Sequence, residues 1–227
     1  MITALHQIFG RKAIVKNEGL ILDLPFQNSF VDATGKNTMI AGGASNLPTF
    51  TLEGGEYAAT FNGSQSLKTN SNFVIGTDKV SISFWMKTTQ TAAAVVGEMS
   101  PNTNSNNTFS WYINDNVANS VQFNSRNTGN NQSVRTGANN GTWKHFVAVI
   151  DRSQNAANEI LIYENGSLVT FTKPYSQDNN KNFGNNILFI GQRGGSQYGF
   201  NGQMKFLKIF NYPLSPSEIT NLYNKTM

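Results

Sequence analysis

The sequence predicts an all-β fold of antiparallel strands closed by a single short helix. Two observations carry this. The segment Val80–Lys87 alternates strictly, with Val80, Ile82, Phe84 and Met86 on one face and Ser81, Ser83, Trp85 and Lys87 on the other. Asn-Gly pairs stand at 62–63, 140–141, 165–166 and 201–202, and Asn and Gly tolerate the positive φ that tight hairpin turns need. Many short strands with regular turn signals build a sandwich or a barrel.

In chain order the expected strands are Leu20–Leu24, Tyr57–Phe61, Val80–Lys87, Ala93–Gly97, Phe109–Asn114, Ser120–Asn124, His145–Asp151, Ile160–Glu164, Ile187–Ile190 and Met204–Phe210. The clearest hairpin is Ile160–Val169, turning on Asn165-Gly166. Trp111 and Tyr112 are neighbours, so one points in and the other out, and the pattern does not say which. The one helix spans 215–224, with Ser215 as cap, Pro216 as first helical residue and Glu218 closing a capping box. Three Asn-rich stretches, Ser100–Thr108, Asn124–Asn140 and Gln177–Asn186, read as long loops between strands. The economical partition is an N-terminal arm over 1–18 and one sandwich domain over 19–227.

Composition narrows the function. Charged residues make up 13% of the 227, about half the usual share, while 32 are Asn. The 16 Phe exclude a disordered polar tract. The absence of Cys removes disulfides, thiolate metal sites and Cys nucleophiles. The net charge of +4 is scattered rather than gathered in a stripe, so nucleic acid is not an expected partner. No run of apolar residues is long enough for membrane insertion. The opening Met1–Lys12 lacks the order of charge, apolar run and small-residue site of a secretory signal. The expectation is therefore a product made in the cytoplasm.

Catalytic motifs are missing. His6 and His145 are far apart, and His145, at the entry of a strand, reads as a structural polar residue. The nearest acid pairs are Glu53/Glu56, in a turn, and Glu159/Glu164, whose odd spacing sends them to opposite faces. No enzyme activity is expected. The aromatic inventory is richer. Trp85 stands on the face opposite the apolar set, either open to stack on a sugar ring or covered by a loop. Tyr112 is a second candidate, and Tyr198 and Phe200 lie on the Gly-rich loop 193–202 as a lip. Trp143 reads as a staple holding a loop to the core.

Several segments in order carry a resemblance. They are Leu22–Asn37 with its Asp32-x-x-Gly35-x-Asn37 turn, Ala59–Leu67, Val80–Lys87, Gly141–Asp151, Ile162–Gly166, Phe200–Gly202 and Lys208–Ile219. Together they resemble the laminin-G-like, pentraxin-like branch of the concanavalin A-like lectin/glucanase superfamily, over about 19–224. The resemblance implies an antiparallel two-sheet jelly-roll sandwich and a non-catalytic lectin-like module that binds a glycan or cell-surface polysaccharide. It also implies a calcium turn at Asp32, Gly35 and Asn37. The closing-strand acids of that pattern are replaced here by Lys205 and Phe206, so the turn is degenerate, strong calcium binding is not expected, and Lys205 is expected to pair with Asp32. No other cofactor is implied. Display on a larger assembly such as a bacteriophage virion, with the arm docking on neighbouring subunits, completes the expectation. The alternatives are a purely structural virion protein and, less in keeping with the residues, a glycan-cleaving enzyme.

Overall fold

The computed structural model describes residues 18–43, 46–99, 107–127 and 129–226. The expected arm over 1–18 falls, apart from Glu18, outside the described residues.

Among the described residues sixteen strands form two antiparallel sheets. In chain order they are β1 (Leu20–Leu24), β2 (Met39–Ala41), β3 (Thr49–Glu53), β4 (Glu56–Asn62), β5 (Leu67–Thr69), β6 (Lys79–Lys87), β7 (Ala94–Glu98) and β8 (Thr108–Ile113). Then come β9 (Ser120–Arg126), β10 (Asn130–Thr136), β11 (Lys144–Asp151), β12 (Ile160–Glu164), β13 (Ser167–Leu168), β14 (Thr172–Ser176), β15 (Phe189–Ile190), β16 (Asn201–Phe210) and the helix α1 (Pro216–Lys225). The first sheet runs β13-β12-β11-β6-β16-β4-β3, with β1 also on β16. The second runs β14-β10-β9-β8-β7-β15-β5-β2. This is the jelly-roll sandwich.

The alternation of β6 does what its pattern predicts. Val80, Ile82, Phe84 and Met86 are all buried between the sheets. The Phe84 ring sits 6.0 Å from Trp111, 6.3 Å from Phe123 and 6.0 Å from Phe146, which joins β6, β8, β9 and β11 into one core. Trp111 therefore points in and Tyr112 out. Room for the indole comes from Gly97 on β7, where a Cβ would lie 2.2 Å from the Trp111 ring.

The helix α1 covers part of the other face of the first sheet, its start fixed by the expected capping box between Ser215 and Glu218. Ile219 and Leu222 pack with Val147, Val149, Tyr163, Phe210 and Leu214 in a second apolar cluster.

One stretch read as loop is a strand. β10 lies inside 124–140, where Asn and Gln disfavour a strand on propensity. Burial reverses that: Asn131 Nδ2 donates to the Ala156 carbonyl (2.8 Å), Ser133 Oγ to the Ile160 carbonyl (3.1 Å) and Gln132 Nε2 to Gln122 Oε1 (2.9 Å). Asn131, Gln132 and Ser133 thus find partners on both faces, which offsets the cost of burying them.

Candidate functional site

Cross-strand register builds the site. Residues paired across a sheet share a face. On the outer face of the second sheet, Glu98 (β7) pairs Ser110 (β8), Ser110 pairs Asn124 (β9), Asn124 pairs Gln132 (β10) and Gln132 pairs Tyr175 (β14). This transverse row crosses five strands, about 19 Å at the usual strand spacing. A neighbouring row sets Tyr112 beside Gln122, and another sets Arg126 beside Asn130.

Two bulges bring the ends of the row onto this face. On β7 the register slips between Val95 and Gly97, which turns Glu98 outward. On the edge strand β14 it slips between the pairs at Gln132 and Val134, so Lys173 and Pro174 together oppose Ser133. Pro belongs at such an edge bulge because it has no ladder N–H to lose. The extra residue lets Lys173 point inward, to Asn131 Oδ1 (3.1 Å) and Ser133 Oγ (3.0 Å), while Tyr175 points out. Burial pulls the Lys173 ammonium down to about 8.

A cleft of about 230 Å³ lies over these rows. Tyr112, Asn124 and Gln132 line it from the sheet, Arg193 and Tyr198 from the 191–200 loop, and Tyr175 and Asn130 from the edge side. That volume suits a small polar ligand or part of a longer one. Tyr175 and Tyr198 are each about half exposed, at 51% and 52%. Arg193 is clamped: Nε donates to Glu98 Oε2 (3.1 Å), Nη2 to the Tyr112 hydroxyl (3.1 Å), and the guanidinium lies 4.7 Å from the centre of the Tyr198 ring. Burial pushes the Glu98 carboxyl up, against the pull of Arg193 and Tyr112. Asn124 is buried, yet its Nδ2 has no partner, and neither has Asn130 Oδ1. Beside a cleft, such atoms are free to bond a ligand that enters it. A larger cleft of about 530 Å³, lined by Thr60, Lys87, Thr89 and Gln203 among others, carries no tyrosine and no such unmatched atom among the described residues.

The buried charges behind β9 and β10 hold the edge of the cleft in place. Arg152 donates from Nη1 to the Lys181 carbonyl (3.0 Å) and stacks at 3.6 Å on Phe183. Glu159 accepts from Asn179 Nδ2 (2.9 Å). The Asn-rich 177–186 stretch is thus anchored, and Gln177 Oε1 accepts from the Asn130 N–H (2.8 Å).

Of the four aromatic candidates, the structure brings Tyr112 and Tyr198 together and removes the other two. Trp85 faces away from the core, as its alternation predicts, but it is not an open platform. It is 7% exposed, stacked on Tyr223 of α1. Phe200 is not a lip residue either. It is fully buried against Phe61 (5.6 Å), because its N–H and carbonyl bond Gly191 and Gly63 and turn the ring inward. Tyr175 and Arg193 were not legible as site residues. The bulge hides the phase of Tyr175, and nothing local marks Arg193 except its place beside the Gly-rich loop. Trp143 is half-buried, with Lys87 and Lys205 at 5.4 and 4.8 Å from its ring centre.

The acids singled out in the sequence are held in ion pairs, apart from Glu159, which accepts from Asn179. Glu53 and Glu56 pair Lys87 and Lys205, and Glu164 takes Arg135 and Lys144. His145 is buried, with Nε2 2.9 Å from Ser83 Oγ and no partner for Nδ1. Burial lowers it to about 4.

The Asp32 turn does not fit a calcium ion. Asp32 Oδ1 accepts from the N–H groups of Asp23 (2.9 Å) and Thr34 (3.0 Å). Oδ2 accepts from Thr34 Oγ1 (2.7 Å), the Asn37 N–H (3.0 Å) and Asn37 Nδ2 (2.8 Å). Five donors surround one carboxylate, where calcium would need six to eight oxygens turned inward. Gly35 serves the turn by its φ of +69°, since a Cβ there would meet nothing within 4 Å. The expected Lys205–Asp32 pair does not form. Lys205 pairs Glu56, and the ammonium nearest the turn on β16 is Lys208, on Asp23, because the bulge between 205 and 208 displaces the register. Among the described residues no group of three acids or histidines could hold a metal ion, and no helix is long and apolar enough to cross a membrane.

Comparisons with known proteins agree with this architecture. The binding domain of botulinum neurotoxin serotype C1 superposes with a TM-score of 0.69 at 15% identity, over 93% of this chain and 53% of that one. The serotype D/C binding domain gives 0.67 at 16%, over 93% and 53%. The chain thus spans about half the length of these toxin domains. Domain 4 of AbnA, a GH43 extracellular arabinanase from Geobacillus stearothermophilus, solved in complex with arabinotriose, gives 0.64 at 18%, over 90% of this chain and 98% of that one. At such identities the likeness is one of fold. No curated protein sequence matches the chain. A family model does, over residues 61–220. The chain belongs to the concanavalin A-like lectin/glucanases superfamily.

Proposed function

We propose that the protein is a non-catalytic glycan-binding module whose ligand lies across the strands of the second sheet, between Tyr198 and Tyr175. The transverse row carries this reading. It sets neutral amides, Asn124 and Gln132, beside the half-exposed Tyr175 ring, and the 191–200 loop adds the half-exposed Tyr198 ring to the same cleft. A sugar presents apolar C–H faces and hydrogen-bonding edges. Tyrosine rings meet the first, while side-chain amides donate and accept toward the second. The Geobacillus domain, solved with arabinotriose, supports the reading from the fold side. The non-catalytic part is supported by Glu98, the acid beneath the cleft, whose oxygens already accept from Arg193 and Tyr112.

A broad glycan array on the purified domain tests this, followed by titration of the best ligand against Tyr175→Ala and Tyr198→Ala. A ligand that spans the row loses affinity with either change. An array without any positive glycan defeats the reading and leaves a purely structural module.

A further inference from the structure

We propose that the cleft selects an acidic saccharide, a sugar bearing a carboxylate, through Nη1 of Arg193, with Glu98 as the positioning residue; this rests on the glycan reading above. Arg193 is held on three sides. Glu98 takes Nε, the Tyr112 hydroxyl takes one N–H of Nη2, and the Tyr198 ring covers one face. Among the described residues Nη1 has no partner, and Arg193 lines the cleft. A guanidinium held by its Nε side presents its remaining N–H groups as a preorganised edge, and the planar fork matches a carboxylate.

A second, independent observation points the same way. Asn124 is 6% exposed, lines the same cleft, and its Nδ2 has no acceptor. It lies on the transverse row with Glu98, the residue that fixes Arg193. The site thus lacks acceptors at two points, Arg193 Nη1 and Asn124 Nδ2. It lacks a donor at Asn130 Oδ1. A sugar acid supplies both complements, acceptor oxygens from its carboxylate and a donor from a ring hydroxyl. The charged groups lining the cleft are Arg126, Arg193 and Asp115. Asp115 follows the end of β8, on the turn side of Tyr112, whereas Arg126 pairs Thr108 at the other end of that strand. Asp115 is therefore separated from Arg126 by the length of the strand, and it lies toward the Tyr112 end. Glu98 lies beneath Arg193, and its oxygens point to Arg193 and Tyr112.

The test uses matched ligands. Isothermal titration compares trigalacturonate, triglucuronate and 3′-sialyllactose with their carboxyl-reduced counterparts, which keep the ring and lose only the charge. At least one acid is expected to bind ten times or more tighter than its reduced form. Arg193→Lys keeps the charge and loses the fork, so it should remove most of that ratio, and Glu98→Gln should shrink it. The ratio is read within each variant, so a loss of stability does not move it. Equal or tighter binding of the reduced sugars overturns the proposal and leaves the glycan reading standing, as does an array positive for neutral glycans alone. A ratio unchanged in Arg193→Lys overturns it as well. An array without any positive glycan takes both down together.

Discussion

Trp85 stacks on Tyr223, ring centres 5.6 Å apart and planes 18° from parallel, and its indole N–H donates to Thr226 Oγ1 at 2.7 Å. A β-strand and the last turn of the helix are thereby joined through one side chain. This contact takes Trp85 out of the surface a ligand can reach. α1 covers the part of the first sheet's outer face around Val147, Val149 and Tyr163, while the tyrosine-lined cleft lies on the second sheet.

Truncating that side chain should unlatch the helix. Trp85→Ala is expected to cost about 3–5 kcal/mol of stability, the range for large aromatic truncations in a packed site. Glycan affinity of the folded fraction should not change. Chemical denaturation beside a binding titration checks both, and a variant of native stability with lost binding would return Trp85 to the site.

His145 sets a pH dependence. Burial holds it near 4, below its unfolded value near 6.5. Above pH 6.5 both states are neutral and there is no penalty. Between 6.5 and about 4 the unfolded chain takes a proton that the folded one refuses, so stability falls with pH. The loss from pH 8 to pH 5 should be about 2 kcal/mol. His145→Asn should flatten it. The difference curve isolates the imidazole from Glu98 and Glu159, whose raised carboxyls act in the opposite direction. Urea midpoints at pH 8, 6 and 5 give the curve, and a wild-type dependence equal to that of the variant would contradict it.

How far the chain was legible depended on where the information lay. Strands with apolar alternation, such as Val80–Lys87, declare both their existence and their inward face, because the core enforces a period of two. β10 does not, because its faces are satisfied by amide and hydroxyl partners that only the folded sheet assembles. The same holds for the site. Tyr112 follows from alternation once Trp111 is known to point in. Tyr175 requires the bulge at Lys173-Pro174, a register fact set by β10. The outward face of Trp85 was legible, but its cover was not, since a helix more than a hundred residues later supplies it.

The Asp32 turn should act as a structural hub that does not depend on calcium. Burial alone would raise its carboxyl, but the N–H of Asp23 and the bonds from Thr34 and Asn37 outweigh this and lower it. Its contribution is therefore complete above the unfolded value near 3.8 and is lost as pH falls through the lower folded value. Asp32→Ala leaves five part-buried donors without their acceptor and should cost about 2 kcal/mol. Thermal unfolding of wild type and variant should be the same in millimolar calcium and in chelator. A wild-type midpoint that rises with calcium, and a variant that does not respond, would restore the metal site.

Tyr198 offers a test in which stability and binding separate. Its φ of +50° is left-handed, a region that costs a non-glycine residue about 1–2 kcal/mol. The surrounding bonds impose it: Val95 N–H donates to the Tyr198 carbonyl (2.8 Å), and the next carbonyl, that of Gly199, accepts from Gln90 Nε2 (3.1 Å). Backbone strain of this kind is kept where a side chain must stand at a fixed place. Tyr198→Gly relieves the strain but gives up the contact with Arg193, worth about 0.5–1 kcal/mol at an exposed site. The two nearly offset, so stability should shift by less than about 1 kcal/mol. The ligand loses its aromatic wall, which should weaken glycan binding about tenfold, near 1.4 kcal/mol. A purely structural Tyr198 would show the reverse: a clear stability loss in the glycine variant and an unchanged affinity.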